Sequence, residues 1–244
     1  LLRKPLMKRG KWIYDFLSNV SERELAVFLF LFVAVTKIAF VFIFDNDMSS
    51  HVDFGKYKSF AQQFAEGGRI LKSTGYAFKY KYTVIYGLVL SPFAKLLGTD
   101  TKVFTCAISV MNAIAMVLLF DILKRYVGKE KAFFMTFLYS VVPMGLFQTQ
   151  ILTHENGLFF FHILAIWIYL KAFDKKNKTV LQIVYVLLSC CVLAVGKSVN
   201  ASGRVLFISF GIYAVAKIFE NGFDKKKLTK IGCVLLVLFV TYSG

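Results

Sequence analysis

The chain has 244 residues and a formal net charge of +16, and 57% of its residues are hydrophobic. Apolar runs of about 18 residues or more separate short clusters of Lys and Arg, which excludes a soluble domain and is typical of a polytopic membrane protein. Because the basic residues are spread between the runs and form no single stripe, the charge does not indicate nucleic-acid binding. The cysteines lie inside apolar runs and fit neither a disulfide framework nor a zinc spacing: Cys106, Cys190, Cys191 and Cys233.

The chain begins with a basic lead-in, residues 1–24, which we expect to lie on the cytoplasmic surface of the membrane. The first apolar run, 25–44, contains one charged residue, Lys37, and is long enough to cross a hydrocarbon core of about 30 Å. Since further apolar runs follow the first one, we expect a transmembrane module over residues 25–244. Since the sequence starts with Leu and stops inside another apolar run, we expect it to be a piece of a longer protein that is truncated at its carboxyl end.

The segment 45–100, which follows the first span, should lie on the outer side of the membrane. Its residue pattern predicts two helices that lie along the membrane surface. The three-and-four spacing of apolar residues indicates an amphipathic helix over 53–66, and a glycine pair ends it. Residues 83–97 are apolar but short, and they include Pro92 and a lysine. These features favour an interfacial or re-entrant helix over a transmembrane span.

Later apolar runs predict further transmembrane helices, and with the first run they give seven. The predicted spans are 25–44, 101–123, 132–152, 155–172, 179–195, 203–219 and a last one that starts near Ile231. With the amino terminus inside, most basic clusters fall on the cytoplasmic side, as the positive-inside rule requires. The expected fold is an all-α polytopic membrane protein with about seven transmembrane helices plus outer-face interfacial (juxtamembrane) helices between the first and second spans.

Carboxylates collect on the predicted outer face, directly after the first span. Asp45-Asn46-Asp47 has the Asp-x-Asp spacing that can hold a divalent cation and bridge it to phosphate oxygens, although two acids around one residue also occur by chance. Asp53 starts the amphipathic helix, so it fits an N-cap and a catalytic carboxylate equally well. Both interpretations of each motif stay open on the residues alone.

Other polar residues stand at the ends of later spans. Glu155 begins the fourth span, and because a carboxylate that faces lipid is costly, it should face protein or a water-filled cavity. His162 lies two turns further along the same face and extends this polar stripe. Lys197 and Arg204 flank the outer loop after the fifth span, where they can hold an anionic headgroup or anchor the helices to lipid phosphates.

Three segments carry a resemblance to a known family. The first is Asp53-Phe54-Gly55-Lys56-Tyr57 with Ala61 and Gly67 on the amphipathic helix. The second is the aromatic segment from Tyr82 to Gly98, which ends Ser-Pro-Phe-Ala-Lys-Leu-Leu-Gly, and the third is Thr153-His154-Glu155. In this order they resemble the GT-C membrane glycosyltransferases, especially bacterial relatives of the dolichyl-phosphate-mannose protein mannosyltransferases and of lipid A aminoarabinose transferase. The chain lacks the Tyr-Pro-Pro-Tyr sequence that many relatives show in the second segment.

The resemblance implies a glycosyltransferase that moves a sugar from a polyprenyl-phosphate donor to a protein, lipid or glycan acceptor at the outer face of the membrane, with inversion. Asp53 matches the family's general base best, and Asp47 and Glu155 are the other catalytic candidates. The residues expected to bind substrate are Asp45, Tyr57, Lys79, Tyr82, His154, Lys197 and Arg204. No firm cofactor follows, and the one metal hypothesis is a divalent cation at Asp45 and Asp47.

Two other functions fit parts of the same pattern. In a polytopic transporter or lipid flippase, Glu155, His162 and Lys37 would form a polar path through the membrane. Against this reading, the charges cluster at the outer rim, and the sequence shows no pair of Gly- or Pro-broken helices in two halves. A non-catalytic membrane scaffold would instead use the amphipathic helix 53–66 to dock a partner.

Overall fold

The structure, a computed structural model, describes residues 14–44, 54–67, 81–148, 154–174, 179–199 and 204–221. Within these ranges the chain forms helices and no strand, which confirms the predicted all-α class. Residues 14–19 are helical. The helices that follow are α1 (Glu22–Ile43), α2 (Phe54–Ala65), α3 (Lys81–Leu97), α4 (Thr101–Val127), α5 (Lys129–Ser140), α6 (Pro143–Gln148), α7 (His154–Ala172), α8 (Thr179–Val199) and α9 (Arg204–Asn221).

Three of these helices are long and apolar enough to cross a membrane, namely α1, α4 and the Val180–Lys197 part of α8. Shorter apolar helices are Val84–Leu97 in α3, Asn156–Ala172 in α7 and Val205–Ala216 in α9. The described residues are therefore those of a helical membrane protein. The predicted number of seven spans stays a prediction, and the last of them, from Ile231, lies outside the described residues.

The first predicted span, 25–44, corresponds to α1, which starts three residues earlier than predicted. A capping box fixes this start. The hydroxyl oxygen of Ser21 accepts a hydrogen bond from the backbone N–H of Glu24 at 3.2 Å, and the Glu24 carboxylate accepts one from the backbone N–H of Ser21 at 2.8 Å. These bonds satisfy backbone donors that the first helical turn leaves free, so the helix begins at Glu22.

The amphipathic helix predicted over 53–66 is present as α2. It packs against α3 and buries Tyr57 and Ala61 completely. The helix ends at Ala65, and Gly67 follows with a φ of +72°, a left-handed conformation that glycine adopts without steric cost. The prediction that glycine ends this helix is therefore confirmed.

The helix predicted over 83–97 is also present, as α3, and it continues through Pro92. Proline has no backbone N–H, so the carbonyl oxygen of Leu88, four residues earlier, loses its helical donor. The hydroxyl of Ser91 donates to that oxygen at 2.8 Å and replaces the missing bond. The interfacial location of α3 stays a prediction.

The predicted span 132–152 is divided into two helices, so the prediction of one continuous helix is wrong. The helix α5 ends at Ser140, and α6 begins at Pro143. Proline cannot donate the next helical hydrogen bond, and its ring disfavours helical geometry at the residue before it. The segment is apolar throughout, so its hydropathy predicted one continuous helix. Hydropathy does not report the restriction that Pro143 places on the backbone.

The central helix is α4, against which α1, α3, α5 and α7 pack. Glu22, at the start of α1, forms an ion pair of 2.6 Å with Lys124 near the end of α4, so these two helices are antiparallel. The indole N–H of Trp167, late in α7, donates to Oδ2 of Asp121, late in α4, at 2.7 Å, so these two are parallel. We call this side of the bundle, with Glu22, Asp121, Lys124 and Trp167, the Asp121 end.

Asp121 joins three helices at that end. Its second carboxylate oxygen, Oδ1, lies 2.8 Å from Nζ of Lys124, which also reaches Glu22 of α1. Lys129, at the start of α5, donates to the backbone carbonyls of Ser18 and Val20 at 2.8 Å each and ties down the segment before α1. The network connects α1, α4 and α7 through one carboxylate.

The role of Asp121 can be tested by Asp121→Ala. The partly buried indole N–H of Trp167 then loses its acceptor, which should lower the free energy of unfolding by about 1–3 kcal/mol. Thermal unfolding in detergent measures this as a fall in the midpoint of roughly 2–4 °C per kcal/mol. Asp15→Ala, at an exposed carboxylate, is the matched control and should leave the midpoint nearly unchanged. Equal losses in the two variants would contradict the assigned role.

Candidate active site

Two buried tyrosines meet at the end of the bundle opposite the Asp121 end. Tyr57 of α2 and Tyr86 of α3 are both 0% exposed, and their rings make an edge-to-face contact with centroids 5.0 Å apart. Phe104 and Ile108, from the first turns of α4, belong to the same cluster, and Phe161 of α7 packs against it. We call this cluster and its surroundings the Tyr86 end. Edge-to-face pairs add about 0.5–1.5 kcal/mol beyond their burial, so the contact holds α2 and α3 together.

Two glycines let the helices approach this cluster closely. A Cβ atom at Gly157 of α7 would lie 2.4 Å from Cε2 of Tyr86, and one at Gly87 of α3 would lie 2.5 Å from Cβ of Phe60 in α2. Distances this short do not occur between real Cβ atoms and their neighbours. Glycine therefore sets the spacing of α2, α3 and α7, since any side chain would push the helices apart.

These contacts place the first turns of α2 and α7 beside one ring. Tyr57 is the fourth residue of α2, and Gly157 is the fourth residue of α7. Because one helical turn contains about 3.6 residues, both helices begin within roughly one turn of Tyr86. The amino end of a helix presents backbone N–H groups without helical partners and a partial positive charge. Two such ends therefore converge at this place.

The last turn of α8 lies beside the start of α7. The two helices pack against each other, and a Cβ atom at Gly196 would lie 3.4 Å from Cβ of Phe161 and 3.5 Å from Cδ1 of Leu158. Lys197, the next residue, is half-buried. A cation near the end of α8 is thus located at the Tyr86 end, on the side where α7 begins.

The structure describes the predicted site residues to different extents. Tyr57 and Lys197 are described with their side chains, and Tyr57 packs inside the tyrosine cluster. The residues with a described backbone only are Tyr82 in α3, His154 and Glu155 in α7, and Arg204 in α9. The residues outside the described ranges are Asp45, Asp47, Asp53 and Lys79. Among the helices that carry described site residues, the structure brings the first turns of α2 and α7 and the last turn of α8 together at the Tyr86 end.

No group of three or more His, Cys, Asp or Glu side chains suited to a metal ion occurs in the part of the chain that the structure describes. The Asp45-Asn46-Asp47 motif lies outside that part. The divalent-cation hypothesis for this motif therefore stays a prediction.

Three residues of this end were not singled out by sequence reasoning, namely Tyr86, Gly87 and Gly157. A glycine inside an apolar helix costs roughly 0.5–1 kcal/mol relative to alanine, so its presence there points to a close contact. This signal is readable in the sequence for both glycines. Tyr86, by contrast, is one of several tyrosines in its segment, and only the packing distinguishes it.

A family model matches most of the chain. The model for dolichyl-phosphate-mannose-protein mannosyltransferases matches residues 81–243, well over half of the 244 residues. The match begins with α3 and includes Tyr86, Gly157 and Lys197, whereas α1, α2 and the carboxylates before α2 precede it. No curated protein and no solved structure matches the chain.

The close approach of α7 to Tyr86 can be tested by Gly157→Ala. The added methyl group has no room beside the ring, and such overpacking should cost about 1–3 kcal/mol of stability, measured as a lower midpoint of thermal unfolding in detergent.

Gly55→Ala is the matched control, because nothing lies within 4 Å of a Cβ atom there and alanine favours the helix. Combining Gly157→Ala with Tyr86→Leu removes the clashing ring, so the double variant should lose less than the two single losses added together. Additive losses would mean that the two residues do not touch.

Proposed function

Because the chain belongs to the dolichyl-phosphate-mannose-protein mannosyltransferase family, we propose that this membrane-embedded GT-C-type glycosyltransferase uses a polyprenyl-phosphate sugar as its donor. The acceptor is a hydroxyl group of a protein, lipid or glycan at the outer face of the cell membrane. The reaction inverts the configuration of the anomeric carbon. The proposed partners are therefore the lipid-linked donor, the acceptor and the surrounding membrane lipids.

One observation carries the proposed location of the active site at the Tyr86 end. The contact of Tyr57 and Gly157 with Tyr86 holds the first turns of α2 and α7 side by side. Asp53 directly precedes α2, and Glu155 is the second residue of α7. The two helices that follow or contain these carboxylate positions, which are about one hundred residues apart in the sequence, thus begin beside one ring. This convergence supports a site built between the two helix starts.

In the proposed reaction Asp53 is the general base. Its carboxylate takes the proton of the acceptor hydroxyl as that oxygen attacks the anomeric carbon, and the bond from this carbon to the donor phosphate oxygen breaks. The lipid phosphate leaves as an anion and needs cations to hold its charge. We assign this role to Lys197, Arg204 and Lys79, of which Lys197 is located at the Tyr86 end.

The remaining candidates have supporting roles in this proposal. Asp47 and Glu155 are the alternatives for the base. The sequence predicted that Tyr57 binds substrate, but its side chain is fully buried against Tyr86, so we propose it as a positioning residue instead. The residues proposed to contact the substrate are Asp45, Tyr82 and His154. A divalent cation at Asp45 and Asp47 is the alternative means of holding the phosphate.

The transporter or flippase alternative gains no support from the packing. It requires a polar path through Glu155, His162 and Lys37, and the structure describes the side chains of the last two. Lys37 donates to Gly145 of α6, whereas His162 lies near Gly196 of α8. Among the described residues, the lining of the cavity beside Lys37 includes Asn156 and Phe159 of α7 but not His162. We therefore keep glycosyl transfer as the proposed function.

We further propose that the amino terminus is cytoplasmic. This location is supported by four basic residues that lie at the Asp121 end, as the positive-inside rule requires of the cytoplasmic side: Lys124, Arg125, Lys129 and Lys171. In this orientation the Tyr86 end faces outward, where the acceptor is expected.

This orientation can be tested in intact cells with an impermeant thiol reagent. In a background without the four native cysteines, Ser73→Cys should be labelled and Lys176→Cys should be protected. Labelling of both after permeabilisation is the control for reactivity. Labelling of both in intact cells would overturn the orientation and the seven-span prediction.

The assignment of the base can be tested by Asp53→Asn in the purified protein with a labelled polyprenyl-phosphate sugar. Asparagine keeps an oxygen for capping α2 and nearly the same volume, so the fold should be retained. General-base catalysis contributes about 10²–10⁴-fold, so kcat should fall by that factor while donor binding is largely kept.

Asp47→Asn and Glu155→Gln are the comparison variants for this assignment. If Asp53→Asn keeps near-normal turnover while one of these two variants is inactive, the base is the carboxylate that the inactive variant lacks, and not Asp53. If wild-type protein transfers no sugar from any such donor, glycosyl transfer itself is wrong.

A further inference from the structure

Lys37 is a buried cation in the first apolar helix. Its side chain is 5% exposed, and its ammonium donates to the carbonyl oxygen of Gly145 in α6 at 2.9 Å. An ammonium has three N–H groups, and within the described ranges this bond uses one of them. A charged side chain inside a membrane is costly, and such residues normally mark a functional site.

A cavity of about 230 Å³ lies next to this ammonium, between α1, α4, α5, α6 and α7. Its polar wall consists of Lys37, Asn112, Ser140 and Asn156, each of which is at least nine-tenths buried. The side-chain oxygen of Asn112 is buried and has no hydrogen-bond donor among the described residues. The lining residues include no carboxylate, so the described wall has a net positive charge.

The size and polarity of the cavity suit a single polar ring. At about 30 Å³ per water molecule, the space corresponds to roughly eight waters, and it is smaller than the ~300 Å³ or more of sites for complete drug-sized ligands. The stacked rings of Tyr139 and Phe159, with centroids 6.0 Å apart, form an apolar part of the wall. An apolar wall with a few placed polar groups is typical of a ligand pocket.

The donors and acceptors of the wall fit an uncharged hydroxyl group best. A hydroxyl can accept a hydrogen bond from Lys37 and donate its own proton to the free oxygen of Asn112. A carboxylate or phosphate can accept from Lys37 but has no proton to give to Asn112. An ammonium can donate to Asn112, but Lys37 repels it, and no carboxylate of the described wall offsets that repulsion.

We infer that this cavity receives the sugar ring of the donor, and that Lys37 and Asn112 select a neutral, hydroxylated sugar over an amino sugar. The inference rests on the proposed glycosyl transfer. Asn156 of the wall directly follows Glu155, so the cavity adjoins the first turn of α7, where the proposed active site lies. A buried amide and a buried ammonium thereby set which sugar is transferred.

The test compares donors that share one polyprenyl-phosphate chain. One donor carries a neutral hexose, and the others carry the same hexose with an amino group in place of each ring hydroxyl in turn. With the full-length protein, we expect kcat/KM to fall by about 100-fold for the amine at the position that meets Lys37 and Asn112.

Two variants act on the charge of the cavity in different ways. Lys37→Met removes the repelling cation, and Asn112→Asp adds a carboxylate of nearly the same shape. Each should reduce the discrimination against that amino sugar to about tenfold or less. Lys95→Met, which removes an exposed cation of α3, should keep the wild-type discrimination. The midpoint of thermal unfolding identifies any variant that fails to fold, and equal use of all donors by the wild-type protein would overturn the selection without any variant.

The outcomes separate this inference from the proposed function. If wild-type protein uses every amino-sugar donor as well as the neutral donor, the selection is wrong while glycosyl transfer stands. If folded Lys37→Met and Asn112→Asp both keep full discrimination, the selection does not come from this cavity. If no donor is used at all, glycosyl transfer fails and this inference fails with it.

Discussion

The contact between Gly157 and Tyr86 is the constraint on which the Tyr86 end depends. Helices in a membrane associate through close packing and hydrogen bonds, because lipid tails are as apolar as the side chains they would replace. A glycine facing an aromatic ring gives the closest packing available, and here it brings α7 onto the same ring that α2 touches through Tyr57. The proposed active site uses the two helix starts that this contact aligns. Its chemistry thus relies on a van der Waals contact that carries no charge.

The two ends of the bundle are held by different forces. At the Asp121 end, one carboxylate accepts from Trp167 and pairs with Lys124, which also reaches α1. Such bonds are directional and fix the axial positions of α1, α4 and α7. At the Tyr86 end, apolar rings and glycines fix the distances between helices. Fixing α1, α4 and α7 at the end away from the proposed chemistry leaves the other end to accommodate a lipid-linked donor and an acceptor.

Local features of the fold were predictable from the sequence, and contacts between distant segments were not. Hydropathy and periodicity place α1, α2 and α3 because each reflects the composition of one continuous segment. The Ser21 to Glu24 capping box and the stop at Pro143 are also local patterns that a closer sequence reading finds. The pairing of Tyr86 with Gly157 joins residues 71 positions apart, so no periodicity reveals it. The proposed roles of Asp53 and Glu155 rest on the family resemblance, while the structure shows that α2 and α7 begin beside the same ring.

The bond from Lys37 to Gly145 has a consequence for how the chain assembles during synthesis. Helix α6 has six residues, and a break separates it from α5. This segment therefore does not insert into the membrane as one long helix. The carbonyl of Gly145 needs a donor, and in lipid an unsatisfied carbonyl is costly. Lys37 precedes Gly145 by 108 residues, so α1 leaves the ribosome long before its partner does. Lys37 is therefore synthesised before the carbonyl that it binds, so the donor can already be in the membrane when the broken segment arrives.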